Sequence, residues 1–355
     1  MKIKILLTGG CGFVGSNLAI YFKSKYPDSI VIAFDNLKRR GSELNLSRLK
    51  DAGVTFIHGD VRNPEDFDSI GPVDFVIDAA AEPSVLAGLD AAPNYVLNTN
   101  LTGTINCLNY SVKHSAAFIF LSTSRVYPFD KLDDINFEEG SSRFELDQDQ
   151  PIPGVNSNGI TTSFPLTGPR SFYGATKLAS ELLIAEYAEF LGIKTVINRC
   201  GVLTGPWQMG KVDQGVIVLW MARHFWNGNL TYNGYGGNGK QVRDILHIYD
   251  LFRLIDMQIS DINTFNRKTL NVGGGIDCSV SLLELTGLCE KITGNNISIT
   301  SVPENRKADV RIYVTDNSEV EHICGWKPTY SPEQIMIEIY DWIKSNQDQL
   351  KKILN

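Results

Sequence analysis

The sequence predicts an α/β fold, a doubly wound parallel sheet followed by a smaller mixed α/β C-terminal lobe. Three observations carry that expectation. Six short apolar runs fall within the first 200 residues, amphipathic runs separate most of them, and a glycine-rich turn follows the first run. Short apolar runs that end on polar or turn residues read as strands buried on both faces. Helices between them supply the crossovers of a parallel sheet.

In order, the runs are "IKILLTG", "SIVIAFD", "VTFIHGD", "VDFVIDA", "AFIFLST" and "KTVINRC". Helical patterning covers 13–25, 44–52 and 90–113, and resumes after Ser171. The pattern stops over 128–170, where Asp, Asn, Pro, Gly and Ser dominate. Such a stretch reads as a substrate-covering loop, the favoured expectation, or as a disordered insert. The last third mixes "KTLNVGG", "SLLELTGLCEKI", "ISITSVP" and "PEQIMIEIYDWIKSNQDQL", the makings of a smaller lobe. The expected boundaries are 1–198 plus about 230–258 for the sheet domain, with 128–170 inserted in it, and about 199–229 plus 259–355 for the lobe.

Composition narrows the function classes. With 33 basic and 40 acidic residues the formal charge is −7, and the longest basic cluster is "LKRRG", so nucleic acid is not an expected partner. Six scattered cysteines without a C-x-x-C, and a chain that opens directly on a strand, predict a reduced, cytoplasmic protein without a leader. The five histidines show no ligand spacing, so no metal is expected. No apolar stretch approaches the roughly 20 residues of a membrane span.

The glycine-rich turn, "LLTGGCGFVGSN", spaces Gly9, Gly12 and Gly15 as G-x-x-G-x-x-G, with Phe13 and Val14 opening the helix. Glycine is needed first for the tight turn, second for close approach of a pyrophosphate, and third to seat helix on strand. Asp35 ends the next strand, twenty residues after Gly15 and just before Asn36. A carboxylate there accepts hydrogen bonds from the adenosine ribose and repels a 2′-phosphate, which favours NAD over NADP. The alternative readings are a simple "DN" turn at Asp35, and a phosphate pocket made by Lys38, Arg39 and Arg40. Asp60 and Val61, in "HGDVRN", fall near the expected adenine. Ala79, Ala80 and Ala81 leave room for the cofactor at the end of strand four.

Tyr173 and Lys177, in "SFYGATKLAS", are four apart and share one helix face. Alone they read as a packing tyrosine beside a solvated lysine. A phenol with pKa about 10 becomes a usable base only when nearby positive charge favours the phenolate.

"TGGCGFVG", "DN", "GD", "AAA", "NTNLTGT", "LSTSRVY", "YGATK" and "GNGKQVRDILH" occur in one order along the chain. That order resembles the extended short-chain dehydrogenases/reductases, the nucleotide-sugar epimerase and dehydratase superfamily, over essentially the whole length. The resemblance implies a Rossmann domain, NAD as cofactor, Tyr173 as acid/base, Lys177 as its partner and nicotinamide-ribose ligand, and Thr123 holding the substrate hydroxyl. It also implies cofactor contacts from Asn98, a helix asparagine at Asn100 near the tyrosine, and substrate contacts from Glu82, Ser124, Arg125, Arg199 and Gln214. Arg243 and Arg306 match arginines that grip a diphosphate, and His247 reads as structural. A homodimer or homotetramer is implied, paired through helices at 90–113 and 173–191.

Sugar dehydratases of this family carry Asp-Glu after the catalytic Thr, and decarboxylases a Glu at the position of Arg125. This chain has Ser124 and Arg125 there. The resemblance thus implies epimerisation of a nucleotide-diphosphate sugar. Val202, where many 4-epimerases have Asn, and Pro128, where "VYG" is usual, fit a different sugar register. "DQG" at 213–215, "GNGKQVRD", "SLLEL" and the long 128–170 segment are similar to a branch that inverts C2 of a CDP-linked sugar. The alternatives are a UDP-sugar 4-epimerase and, in another class, a non-catalytic NAD-sensing regulator.

Overall fold

The computed structural model describes residues 2–89, 91–210 and 215–354. The chain divides into two compact units, Met1–Val126 with Ser171–Arg199 and Leu251–Leu270, and Tyr127–Arg170 with Cys200–Asp250 and Asn271–Asn355.

The first unit is built on β1 (Lys4–Thr8), α1 (Phe13–Lys25), β2 (Ile30–Asp35), α2 (Asn45–Asp51), β3 (Thr55–His58), β4 (Phe75–Asp78), α3 (Gly103–His114), β5 (Ala117–Thr123), α4 (Phe172–Phe190), β6 (Thr195–Cys200), α5 (Ile248–Ser260, from Leu251 on) and β7 (Lys268–Val272, to Leu270), with only a 3₁₀ turn, Pro64–Ser69, between β3 and β4. The sheet order is β7-β6-β5-β4-β1-β2-β3. β1 runs parallel to both its neighbours, with Leu6 opposite Ile32 on one side and Val76 on the other. The chain winds outward through β2 and β3, then crosses to β4 on the far edge of β1. That reversal makes a crevice at the carboxyl ends of β1 and β4, where ligands bind in folds of this kind.

Helices on the sheet explain the unbroken apolar runs. Ile5, Leu6 and Leu7 of β1, Val76 and Ile77 of β4, and Phe118, Ile119 and Phe120 of β5 are completely buried. Burial of such a side chain contributes about 1.5–3 kcal/mol. The helical pattern expected over 90–113 is a short helix, Asn94–Leu97, a π-helical turn, Asn98–Thr102, and then α3.

The second unit is built on Val202–Thr204, Val242–His247 and Ser279–Ser281, adjacent in that order, with Ile312–Tyr313 also paired to Val242–His247. Its helices include Val216–Phe225, Leu282–Thr293 and Pro332–Ser345. The last two open with capping boxes, Ser281 with Glu284 and Ser331 with Gln334.

This division departs from the expected boundaries in three places. Residues 128–170 belong to the second unit and form a short helix and two antiparallel hairpins. Phe144 joins a cluster with Val242, Ile312 and Val314, and the Ile160 N–H donates to the Val314 carbonyl at 2.8 Å. Arg143 forks onto Glu284, with Nε at 3.0 Å and Nη2 at 2.7 Å. Those few anchors are too irregularly spaced to produce a visible period. Residues 230–250 also belong to the second unit, because Val242–His247 is central in its sheet. Finally, "KTLNVGG", assigned to the lobe, supplies β7 at the edge of the first sheet.

Candidate active site

The glycine turn lies at the head of the crevice. Gly9 has φ +61°, and a Cβ on it would stand 2.8 Å from the Ala79 carbonyl oxygen. A Cβ on Gly15 would stand 2.3 Å from the Gly9 oxygen, so helix and turn touch there. Gly12 donates to the Gly9 carbonyl at 2.9 Å and serves as N-cap of α1, with no side chain closing that helix end. Phe13, Val14 and Gly15 form the first turn, whose N–H groups make a natural anion seat. Gly10 was not singled out from the sequence, yet its Cβ would stand 2.5 Å from the Ala33 Cα. The Gly-Gly doublet was the available signal.

Asp35 ends β2 beside this turn and accepts the N–H of Cys11 at 3.0 Å and of Leu37 at 2.7 Å. Burial raises its carboxyl above the ordinary value, while the N–H groups of Leu37, Cys11 and Gly12 pull it back. Asn36 donates to Asp60 at 2.8 Å. Arg62 holds the Asp60 carboxyl well below the usual carboxylate range. Lys38 and Arg62 lie over the Tyr95 ring at 4.3 and 5.2 Å. Val61, next to Asp60, is buried.

Ala79, Ala80 and Ala81 follow β4, and the Ala80 N–H donates to the Thr8 hydroxyl at 3.2 Å. The next residue, Glu82, is clamped by Asn100 from the π turn, which Asn98 begins on the exposed side. Uncapped helix N-terminus, glycine cradle, small residues across from it and a ribose-height carboxylate together fit a dinucleotide such as NAD.

Tyr173 and Lys177 lie in the first turns of α4, capped by Ser171, whose hydroxyl accepts the Gly174 N–H at 3.3 Å. Lys177 is buried; its Nζ donates to the Leu121 carbonyl at 2.9 Å and lies 4.3 Å from the Phe120 ring centre. Leu121 is two residues before Thr123, so this lysine seats α4 on the strand that ends in Thr123. The Thr123 hydroxyl accepts the Arg125 N–H at 3.2 Å, from the 3₁₀ turn that Ser124 begins.

The arginines divide. Arg199 is buried and committed to Glu181, Nε at 3.1 Å from both carboxylate oxygens and Nη2 at 2.7 Å from one. Its fork is thus used inside the first unit, at the residue for which the resemblance implied a substrate contact. Glu181, four residues past Lys177, was overlooked although it continues the same helix column. Arg243, in the second unit, meets Asp309 at 3.2 Å and the Val242 carbonyl at 2.7 Å. Arg306 is exposed in the same unit. Gln214 lies outside the described residues. His247 is buried and stacks on Tyr330, ring centres 4.0 Å apart.

Among the described residues no His/Cys/Asp/Glu group could hold a metal ion, and no helix is long and apolar enough to cross a membrane.

Comparison with known proteins agrees with this geometry. The model of the NAD dependent epimerase/dehydratase family matches residues 5–273. A CDP-paratose 2-epimerase of Salmonella typhi is 32% identical over 351 residues, 97% of this chain and 100% of that one. Among solved structures, a dTDP-glucose 4,6-dehydratase of Streptomyces venezuelae with NAD and TYD bound is similar at TM-score 0.79 and 25% identity, covering 99% of this chain and 100% of that one. A UDP-glucose 4-epimerase of Thermotoga maritima with UDP-glucose is similar at TM-score 0.76 and 25% identity, covering 97% and 100%. With its glycine cradle, its switch-point crevice and this match, the chain belongs to the NAD dependent epimerase/dehydratase family and is an NAD-dependent enzyme of the isomerase class.

Proposed function

We propose that the protein epimerises a nucleotide-diphosphate sugar by transient oxidation at one carbon, and that the reaction is inversion of CDP-paratose at C2 to give CDP-tyvelose. The observation that carries the reading is the bond from Lys177 to the Leu121 carbonyl, which seats the Tyr173 helix on the strand bearing Thr123. The 32% identity to a CDP-paratose 2-epimerase supports the sugar. Bound NAD supplies the acceptor and donor of a hydride. Thr123 holds the sugar hydroxyl; Tyr173 takes its proton and later returns it. The ammonium of Lys177 favours the phenolate and reaches the nicotinamide ribose. Ser124 and Arg125, in place of the acidic pair of dehydratases, leave no second acid for elimination of water. Arg243 and Arg306 are the proposed diphosphate anchors, through planar forks suited to phosphate oxygens.

A UDP-sugar 4-epimerase is the second reading, favoured by the similarity to a solved UDP-glucose 4-epimerase. The proposal includes a cytoplasmic setting, supported by six free cysteines, and a homodimer or homotetramer paired through the helices at 90–113 and 173–191. Leu182 and Phe190 of α4, 66% and 76% exposed, support that pairing.

The test is a CDP-linked 3,6-dideoxyhexose incubated with the protein in deuterated water. Inversion at C2 without deuterium is expected. Deuterium at C2 would sink transient oxidation. Inversion of a UDP-hexose at C4, with the CDP-sugar untouched, would remove the substrate and keep the chemistry. Absence of turnover on both would remove both sugars.

A further inference from the structure

Tyr173, Lys177 and Glu181 are spaced by four along α4, so a phenol, an ammonium and a carboxylate form one column on the helix. Lys177 and Glu181 are buried. Besides the fork of Arg199, the Glu181 carboxylate accepts the Ser122 hydroxyl at 2.5 Å. Ser122 directly precedes Thr123 on β5, and Arg199 lies near the end of β6. One carboxylate therefore joins a helix to two strands.

As a stabilising device the pair is a poor choice. Burying two ions carries a desolvation penalty, and apolar residues of the same volume often hold a core as well. Its place beside Lys177 suggests a different use. A bare carboxylate one turn from the lysine would offset the field of that ammonium, and Arg199 cancels it.

We propose that Glu181 and Arg199 are positioning residues for Tyr173. Through Ser122 they fix α4 against β5, and their balanced charges leave the positive charge of Lys177 to act on the phenol. The inference rests on the reading of Tyr173 as acid/base. Other charged or titratable groups around this column are Arg125 in the 3₁₀ turn, Tyr95 in the helix Asn94–Leu97, Glu82 after β4, and Asp78 and Cys107, the latter within electrostatic reach of both Asp78 and Lys177. All are unchanged in the variants below.

The test needs no substrate. Tyrosinate absorbance is titrated in NAD-loaded protein, with Tyr173→Phe subtracted to isolate Tyr173. Glu181→Gln leaves an uncompensated cation and should lower the Tyr173 midpoint by about one pH unit. That is the effect of a unit charge roughly 12 Å away, eight residues along a helix, through an effective dielectric of about 20. Arg199→Met should raise the midpoint by a similar amount, and the double variant should return it to the wild-type position. Ser122→Ala, which strips one donor from the carboxylate, should raise it slightly. A wild-type midpoint in any folded single variant of the pair overturns the proposal. If both fail to fold, a displaced midpoint in the double variant, or an unmoved one in Ser122→Ala, overturns it instead. Failure of the wild type to turn over the CDP-sugar counts against the substrate and is read separately from these midpoints.

Discussion

Asn100 holds Glu82 by both of that residue's backbone groups, accepting its N–H at 2.7 Å and donating to its carbonyl at 3.1 Å. Its amide also donates to the Thr176 hydroxyl at 3.2 Å, between Tyr173 and Lys177 on α4. The side chain acts as a strand neighbour would, giving the loop after β4 the partners it lost when the sheet ended. A π-helical turn, a feature frequent at functional sites, presents it.

Asn100→Asp is therefore expected to do harm despite equal size, because it sets an acceptor against the Glu82 carbonyl. Thermal unfolding should show a loss of about 2–3 kcal/mol, the scale of buried hydrogen bonds left unmade. Calorimetry should show weaker NAD binding, since Ala79–Ala81 lie on the same loop. Wild-type stability with wild-type cofactor affinity would rule out the clamp.

The glycines separate folding from cofactor binding. A Cβ on Gly15 meets the Gly9 backbone oxygen at 2.3 Å, where neither helix nor turn can yield cheaply. Gly15→Ala should destabilise the apo protein by roughly 1–3 kcal/mol. A Cβ on Gly12 meets the same oxygen at 3.1 Å, a gap that a small shift can absorb. Gly12→Ala should keep nearly the wild-type Tm and lose NAD affinity through the methyl placed at the pyrophosphate seat. Equal loss of Tm in both variants would contradict this division.

Most of the first unit was legible because its signals are local. A strand buried on both faces has to be apolar throughout, and the glycine turn must follow β1 directly, so "IKILLTG" and "LLTGGCGFVGSN" announce themselves. Tyr173 and Lys177 stand out as a candidate pair through their four-residue spacing alone. The second unit was less legible because its anchors are distant in sequence. Arg143 finds Glu284, and Phe144 finds Val242 and Ile312, across more than ninety residues. No window carries such pairs. The pairing of Arg199 with Glu181 was hidden for the same reason, the two lying on separate elements.

Asp35 gives a pH-dependent prediction. Burial raises its folded pKa above the unfolded value, so between the two the folded state holds the extra proton. Stability from this group is complete below the unfolded value, about 4, and is lost as pH rises through the folded value. Asp35→Asn removes that titration. The apo variant should keep its stability better than the wild type as pH rises through this window, as read by denaturation at a series of pH values. The preference for NAD over NADP should fall roughly tenfold, about 1.4 kcal/mol, because the 2′-phosphate no longer meets a carboxylate. An unchanged preference would move attention to Arg39 and Arg40.

Tyr173 and Lys177 should separate in their effects. Tyr173→Phe removes only a hydroxyl, so turnover should fall by about 10² to 10⁴ while NAD stays bound. Lys177 is buried under α4, and truncation to alanine would mix a cavity with the loss of charge. Lys177→Met keeps the volume and removes an ion from the interior. Its Tm should change little, because relief of the buried cation's desolvation is offset by the donor that the Leu121 carbonyl loses. Both kcat and NAD affinity should nevertheless fall, since the ammonium is expected to serve the phenol and the ribose together. If the Met variant loses turnover and keeps full cofactor affinity, the lysine acts through Tyr173 alone.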